Sequence, residues 1–326
     1  MQTNMQKTQK TQKKIPRKIV NGVLLLDKPL GLSSNQALQK VKWLLKAKKA
    51  GHTGNLDPLA TGVLPLCFGE ATKFASYGLE ADKTYVTSVQ LGETRTTADA
   101  EGEVVERFAL PEQMTQASIE QVLEGFLGAQ QQVPPMYSAL KFQGKKRYEL
   151  ARAGQTVERP PRDIVIYKLT LLGFTPDSIT LEVACSKGTY IRVLGEDIAT
   201  ALGSGGYLSA LRRTVAGSVD ASEILTLESL VDLHEQEGEA AVAALLKPAD
   251  YLIEYLPIYS MDEASAALLL QGQAIKLLDS SLTIGQNVRL YALGQTLLGL
   301  AQVQQDAVKG LMLQPIKMQN TELDVS

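Results

Sequence analysis

The chain has 326 residues, 44% hydrophobic and 21% charged. At roughly 150 residues per domain this is enough for about two domains, and the composition excludes a disordered chain. Two cysteines, Cys67 and Cys185, cannot build a disulfide framework, and with only His52 and His234 beside them there is no zinc constellation of familiar spacing. A reducing compartment follows, so a cytoplasmic location is expected. The apolar runs at 63–68 and 267–270 fall far short of the roughly 18 residues that span a bilayer, and no membrane partner is expected.

A net charge of -2 conceals a gradient: residues 1–50 carry 12 basic and 1 acidic side chains, whereas residues 221–326 carry 5 basic and 14 acidic. Because salt screens charges beyond about 10 Å at 0.1 M, only clustered charge attracts a polyanion. The basic end makes nucleic acid the leading partner.

Residues 1–20, polar and free of acids, lack the apolar core of a secretory signal and read as a disordered basic arm, with order starting near Asn21. Residues 22–27 read as a strand closed by Lys28-Pro29 and Gly31. Ser33 or Ser34 can then cap a helix running to about Ala47, with Ala37, Leu38, Val41, Leu44 and Leu45 inward. Its lysines, Lys40, Lys42, Lys46, Lys48 and Lys49, suit either a solvated face or phosphate contact. Residues 85–91 alternate as a strand. Ser118 precedes a helix, residues 163–172 and 178–186 form a hairpin, and a helix covers 190–202. Without a regular βαβ alternation, the class is α+β: a mixed, largely antiparallel sheet with flanking helices. Residues 228–254 read as a helix and connection, and three short strand-like segments after Pro257 form a small β-rich terminal domain. The expected divisions are 1–20, 21–250 and 251–326.

The segment from Gly51 to Pro65, GHTGNLDPLATGVLP, is the least generic. Three glycines, two prolines, a histidine and an aspartate describe a tight, preorganised loop. Taken alone, Asp57-Pro58 reads more readily as a helix N-cap followed by proline at the first helical position, a purely structural pairing. A phosphate-binding P-loop is excluded, because no Gly-Lys-Ser/Thr follows the glycines.

This segment, extended as GHTGNLDPLATGVLPLCFGEATKF, resembles the signature loop of bacterial tRNA pseudouridine synthases of the TruB type. The resemblance continues in order through LDKPLGLSS at 26–34, KTY at 83–85, VPPMYSALK at 133–141, GTYIR at 188–192 and LRR at 211–213. It covers roughly residues 21–220, and the remainder resembles the family's PUA-like C-terminal domain more weakly. It implies a pseudouridine-synthase-like sheet and isomerisation of uridine 55 in the T-loop of tRNA, with neither cofactor nor metal. The implied partner is the tRNA T-arm, bound by a monomer. Carried over residue by residue, Asp57 matches the essential aspartate, Tyr85 the tyrosine packing on the target base, and Arg192 the arginine pairing with the aspartate. His52 matches a loop histidine contacting the displaced nucleotide, and Tyr190 and Leu211 match positions lining the uridine pocket.

The chemistry of these residue types agrees. Burial raises a carboxyl pKa and an opposed guanidinium lowers it, so Arg192 is expected to keep Asp57 ionised and able to act as a nucleophile. Ordinary glycoside hydrolases need two carboxylates because the leaving group must be protonated. Uracil departs as a delocalised anion, so one carboxylate suffices. Attack at ribose C1′, attack at uracil C6, and elimination across C1′ and C2′ all remain open. Lys141, Lys145, Lys146, Arg147 and Arg152 form a second basic cluster suited to RNA backbone contact. The alternative function is a non-catalytic RNA-binding or tRNA-folding protein.

Overall fold

The computed structural model describes residues 16–136, 141–142, 145–146, 158–278, 281–292 and 296–319. Order begins earlier than Asn21. The Lys18 N–H donates to the Lys46 carbonyl at 2.9 Å and the Lys48 N–H to the Lys18 carbonyl at 2.8 Å, which ties the end of the basic arm to the body. Residues 1–15, and Arg147 and Arg152 of the second basic cluster, lie outside the described residues.

Apolar runs punctuated by glycine and proline give β1 (Gly22–Lys28), β2 (Ala50–His52), β3 (Ala60–Phe68) and β4 (Lys83–Leu91). A side hairpin pairs β5 (Glu93–Arg95) with β6 (Val104–Arg107). Then come β7 (Gly128–Gln132), the short pair β8 (Lys141–Phe142) and β9 (Lys145–Lys146), and the long hairpin of β10 (Arg162–Thr175) and β11 (Ser178–Cys185). β12 (Gly206–Ala216), β13 (Val219–Asp220) and β14 (Leu225–Thr226) complete the set. Among the described residues, ten strands make one sheet in the order β14-β1-β3-β12-β4-β11-β10-β7, with β2 beside β3 and β13 beside β12. Its β1–β14 and β3–β12 contacts are parallel and the rest antiparallel. The α+β class, a mixed and largely antiparallel sheet, is as read from the sequence.

Most of the helices pack on one face, and the helix beginning at Ala75 on the other. In α1 (Ser34–Leu44), Ser33 caps the first turn in a reciprocal box with Gln36. The helix stops short of Ala47 because Lys46 turns left-handed, at φ 45, and Ala47 is drawn into a bridge with Lys18. After α2 (Ala75–Glu80), α3 (Gln116–Glu124) starts before the expected Ser118: Thr115 is the cap, and Ser118 is its box partner inside the first turn. α4 (Ile191–Ala201) turns Leu194 and Ile198 onto Val89, Leu181 and Leu208 of the sheet. α5 (Leu227–Glu237) and α6 (Glu239–Ala244) close the far edge.

A second sheet follows, from β15 (Ile258–Met261), β16 (Ile275–Lys276), β17 (Asn287–Ala292), β18 (Thr296–Asp306) and β19 (Gly310–Met318), ordered β15-β17-β18-β19-β16. Helix α7 (Glu263–Leu270) packs Ala266 and Leu269 against Val288, Leu290, Leu298 and Leu313. Buried Asp250 sits at the seam between the two sheets, where it accepts from Arg289 Nη1 at 2.9 Å and from the Tyr291 hydroxyl at 2.6 Å.

Candidate active site

The loop between β2 and β3 is held by the segment before α1. The Leu56 N–H donates to Ser34 Oγ at 2.7 Å, and the Gly31 N–H donates to the Pro58 carbonyl at 2.8 Å. Pro58 and Leu59 turn directly into β3, so Asp57-Pro58 is not a helix cap. The carboxylate is presented to a cleft rather than spent on backbone N–H groups.

That cleft, about 220 Å³, is bordered by Asp57, Tyr85, Tyr190, Arg192, Leu211 and Arg213. It is smaller than the roughly 300–1,000 Å³ of drug-sized ligand pockets and on the scale of a single nucleoside. Asp57 Oδ2 lies 3.0 Å from Arg192 Nη2. Arg192 is itself almost wholly buried, donating to the Thr97 carbonyl at 2.8 Å and facing Asp99 at 3.4 Å. Asp99 is 2% exposed and accepts from Thr97 Oγ1 at 2.5 Å. The guanidinium is thus fixed between two carboxylates, only one of which opens into the cleft.

The carboxyl of Asp57 is pulled in both directions. Burial pushes the Asp57 carboxyl above its ordinary range by more than the Arg192 guanidinium pulls it down; Asp99 adds to the rise and Lys28 opposes it. Asp57 keeps 44% of its side-chain surface open to the cleft, but protein crowds it on every other side. Glu101 is raised as well, by burial and by Asp99 and Asp57. Lys83 borders the cleft and Lys28 feels the charge of Asp57. Burial lowers both Lys28 and Lys83 to about 8, and each is stabilised by donating to backbone carbonyls, Pro29 and Leu32 for Lys28 and Leu79 and Ala81 for Lys83.

Tyr85 stands on β4, 9% exposed, opposite Val183 of β11 and Arg213 of β12. Burial raises its hydroxyl pKa, and Arg213 acts against the rise. Tyr190 precedes α4 and is fixed by a two-way amide clamp: its N–H donates to Gln132 Oε1 at 2.8 Å, and Gln132 Nε2 donates to its carbonyl at 3.1 Å. Leu211 sits beside Ala60 where β12 meets β3. His52 ends β2, paired with Leu66, and is absent from the cleft wall. Of the six residues expected to act, five converge and His52 stands outside.

Sequence reasoning gave no role to Lys28, Lys83, Asp99 or Arg213. Three of them lie in stretches already singled out, but a buried charge is recognised by its partners, which are distant in the chain. Asp99 carried no signal. Among the described residues no cluster of metal-ligating side chains exists. A separate groove of about 410 Å³ between α1 and α5, walled by Trp43, Val231 and His234, holds no carboxylate–guanidinium pair.

Comparison with known proteins agrees with this arrangement. The TruB family pseudouridylate synthase N-terminal domain matches residues 42–191, the tRNA pseudouridylate synthase B C-terminal domain matches 192–254, and the pseudouridine synthase II TruB C-terminal domain matches 257–313. A tRNA pseudouridine synthase B of Stutzerimonas stutzeri (strain A1501) is 56% identical over 260 residues, 80% of this chain and 85% of that protein. One of Pseudomonas fluorescens (strain Pf0-1) is 55% identical over 264 residues, 81% and 86% of the two chains. Among solved structures, a Cbf5–Nop10–Gar1 complex superposes with a TM-score of 0.69 at 27% identity, covering 91% of this chain and 84% of its own. The chain belongs to the TruB family of pseudouridylate synthases.

Proposed function

We propose that this chain isomerises uridine to pseudouridine in tRNA, at position 55 of the T-loop, with Asp57 as the essential carboxylate. The observation that carries this reading is the Asp57–Arg192 pair, 3.0 Å apart, on the border of a nucleoside-sized cleft walled by Tyr85. The target base must leave its stack, at a cost of a few kcal/mol, and the ring of Tyr85 offers a face that offsets part of it. Tyr190 and Leu211 shape the wall against the inserted nucleotide. When the glycosidic bond breaks, its electron pair passes to the uracil ring. Asp57 meets the electron-deficient sugar, or has added to C6 of the ring before the bond breaks; Arg192 holds that carboxylate in place, and C5 bonds to C1′ as it gives up its proton and N1 takes one up. His52 lies outside the wall and is assigned to the RNA around the target nucleotide.

The T-arm of tRNA is taken as the partner of a monomeric enzyme working in the cytoplasm, the compartment that suits two buried, unbridged cysteines. Among the described residues no helix is long and apolar enough to cross a membrane. Residues 21–250 are assigned to the catalytic unit and 251–326 to the terminal domain. The test is to map pseudouridine in tRNA treated with wild-type protein and with Asp57→Asn. The expected result is modification at one T-loop uridine by the wild type, none by the variant, and tRNA binding by both. Pseudouridine made by the variant removes Asp57 from its role, and none made by either protein removes the function.

A further inference from the structure

The third residue of the Leu211-Arg212-Arg213 run has no part in the scheme so far. Arg212 and Arg213 are neighbours on β12 with opposite fates. Arg212 turns outward and grips Asp27 with two hydrogen bonds of 3.0 and 2.9 Å. Arg213 turns inward, is 1% exposed and borders the same cleft as Asp57. A buried guanidinium ordinarily sits against a carboxylate. This one instead donates from Nε to the Val63 carbonyl at 2.8 Å, and its Nη2 finds no acceptor among the described residues. Leaving such a donor buried and unmade is costly, the more so for a charged group.

The signature loop is shaped around this side chain. A Cβ at Gly54, where φ is +147, would stand 3.3 Å from Arg213 Nη1. A Cβ at Gly62, where φ is +100, would lie 2.1 Å from the Arg213 carbonyl oxygen. Both glycines therefore make room for one arginine, one for its head and one for its backbone. Register puts Arg213 directly across from Tyr85, so the guanidinium lies beside the ring expected to face the target base. The phosphates of a nucleotide continue into the RNA chain and must stay at the mouth of a cleft. The part that can reach an arginine this deep is the edge of the base.

We propose that Arg213 is a substrate-contacting residue, donating from its guanidinium to a carbonyl oxygen of the inserted uracil and holding the negative charge the ring acquires when the C1′–N1 bond breaks. The bonding pair goes to the ring and spreads onto its carbonyl oxygens, while C1′ is left electron-deficient for Asp57 or for loss of its neighbouring proton. A donor that strengthens as charge develops lowers the barrier more than it tightens binding. This assignment deepens the proposed isomerisation and rests on it.

The test is a substrate–enzyme cycle under single-turnover conditions. tRNA carrying uridine, 2-thiouridine or 4-thiouridine at the target position is given to wild-type protein, to Arg213→Lys and to Arg213→Gln. Sulfur is the weaker acceptor. The expected result is a rate for Arg213→Lys on ordinary tRNA lower by about 100-fold, the scale of losing one charge-stabilising donor, with melting midpoint and tRNA binding near wild type. Thiolation at one of the two carbonyls should then slow the wild type by at least about 10-fold more than it slows the variant. Equal thio effects in wild type and variants at both carbonyls overturn the assignment, and the reading of Arg213 as a brace for Val63 stands instead. The wild type alone provides an arm independent of folding: rates unchanged by either thio substitution also overturn it. Failure of the wild type to make pseudouridine from ordinary tRNA refutes the isomerase reading itself.

Discussion

The two sheets place buried charge very differently. The large sheet and its helices bury Lys28, Lys83, Asp99, Arg192 and Arg213: Lys83, Arg192 and Arg213 border one cleft, Asp99 faces Arg192, and Lys28 lies within reach of the Asp57 charge. In the terminal sheet the core is aliphatic, built from residues such as Val288, Leu290, Leu298, Val303 and Leu313, and the deeply buried acid nearest to it is Asp250 at the seam. Ionised groups are costly to bury, and replacing a buried ion pair by apolar residues is often neutral or stabilising. A core that needs only to fold has no use for five of them. Their concentration beside Asp57 is the mark of a region arranged for chemistry at the expense of stability, whereas the terminal sheet is arranged to hold together.

The sharpest way to break this contrast is Asp57→Asn. Turnover should fall by more than about 10³-fold, as for other essential groups acting as a unit, with tRNA affinity retained in a binding assay. Stability should move the other way. Because the folded pKa of Asp57 is raised, its ionisation opposes folding, and stability is lost as pH rises through that value. The melting midpoint of the variant should therefore gain on that of the wild type as the pH is raised.

Next is Arg192→Gln, which removes the guanidinium opposing that rise. The rate should drop by about 100-fold. The acid limb of kcat/KM, already above the ordinary carboxylate range near 4, should move to higher pH. An unmoved limb would show that Asp57 is not the group titrating. Asp250→Ala tests the other region. It leaves Arg289 without its carboxylate, which should cost about 3–5 kcal/mol in denaturant unfolding while the single-turnover rate changes by less than about twofold. A rate loss matching that of Arg192→Gln would erase the distinction between the sheets. The smallest effect is expected from His52→Ala. With no place in the cleft wall, the residue should alter KM by a few-fold and leave kcat nearly intact.

The strands were the most legible part of the sequence. The alternation along 83–91 reports a strand buried on one face, and the buried set Lys83, Tyr85, Thr87, Val89 and Leu91 matches it. Helix starts were less legible where the cap is unusual. At Thr115 the box partner is Ser118 rather than Glu or Gln, so the serine itself looked like the cap. Asp57, Tyr85, Tyr190, Arg192 and Leu211 were found through ordered motifs; no periodicity singles out an aspartate on a loop. Asp99 escaped because it stands in TTADAEG, a stretch that reads as an ordinary turn, and its meaning comes from Arg192, 93 positions away along the chain. The sign of the Asp57 shift was out of reach for the same reason. It depends on how much protein surrounds the carboxyl, which is a property of the closed cleft.

The parallel contact of β3 with β12 spans only the pairs Ala60–Leu211, Thr61–Arg212 and Gly62–Arg213. Side chains alternate along a strand, so sliding one strand by a single residue would bring the outward arginine into the cleft and eject the inward one. The missing side chain at Gly62 lets the two backbones close at the one setting that keeps them correctly sorted. A larger residue at position 62 would be felt first as an exchange of neighbouring arginines, with the fold intact and the cleft presenting the wrong cation.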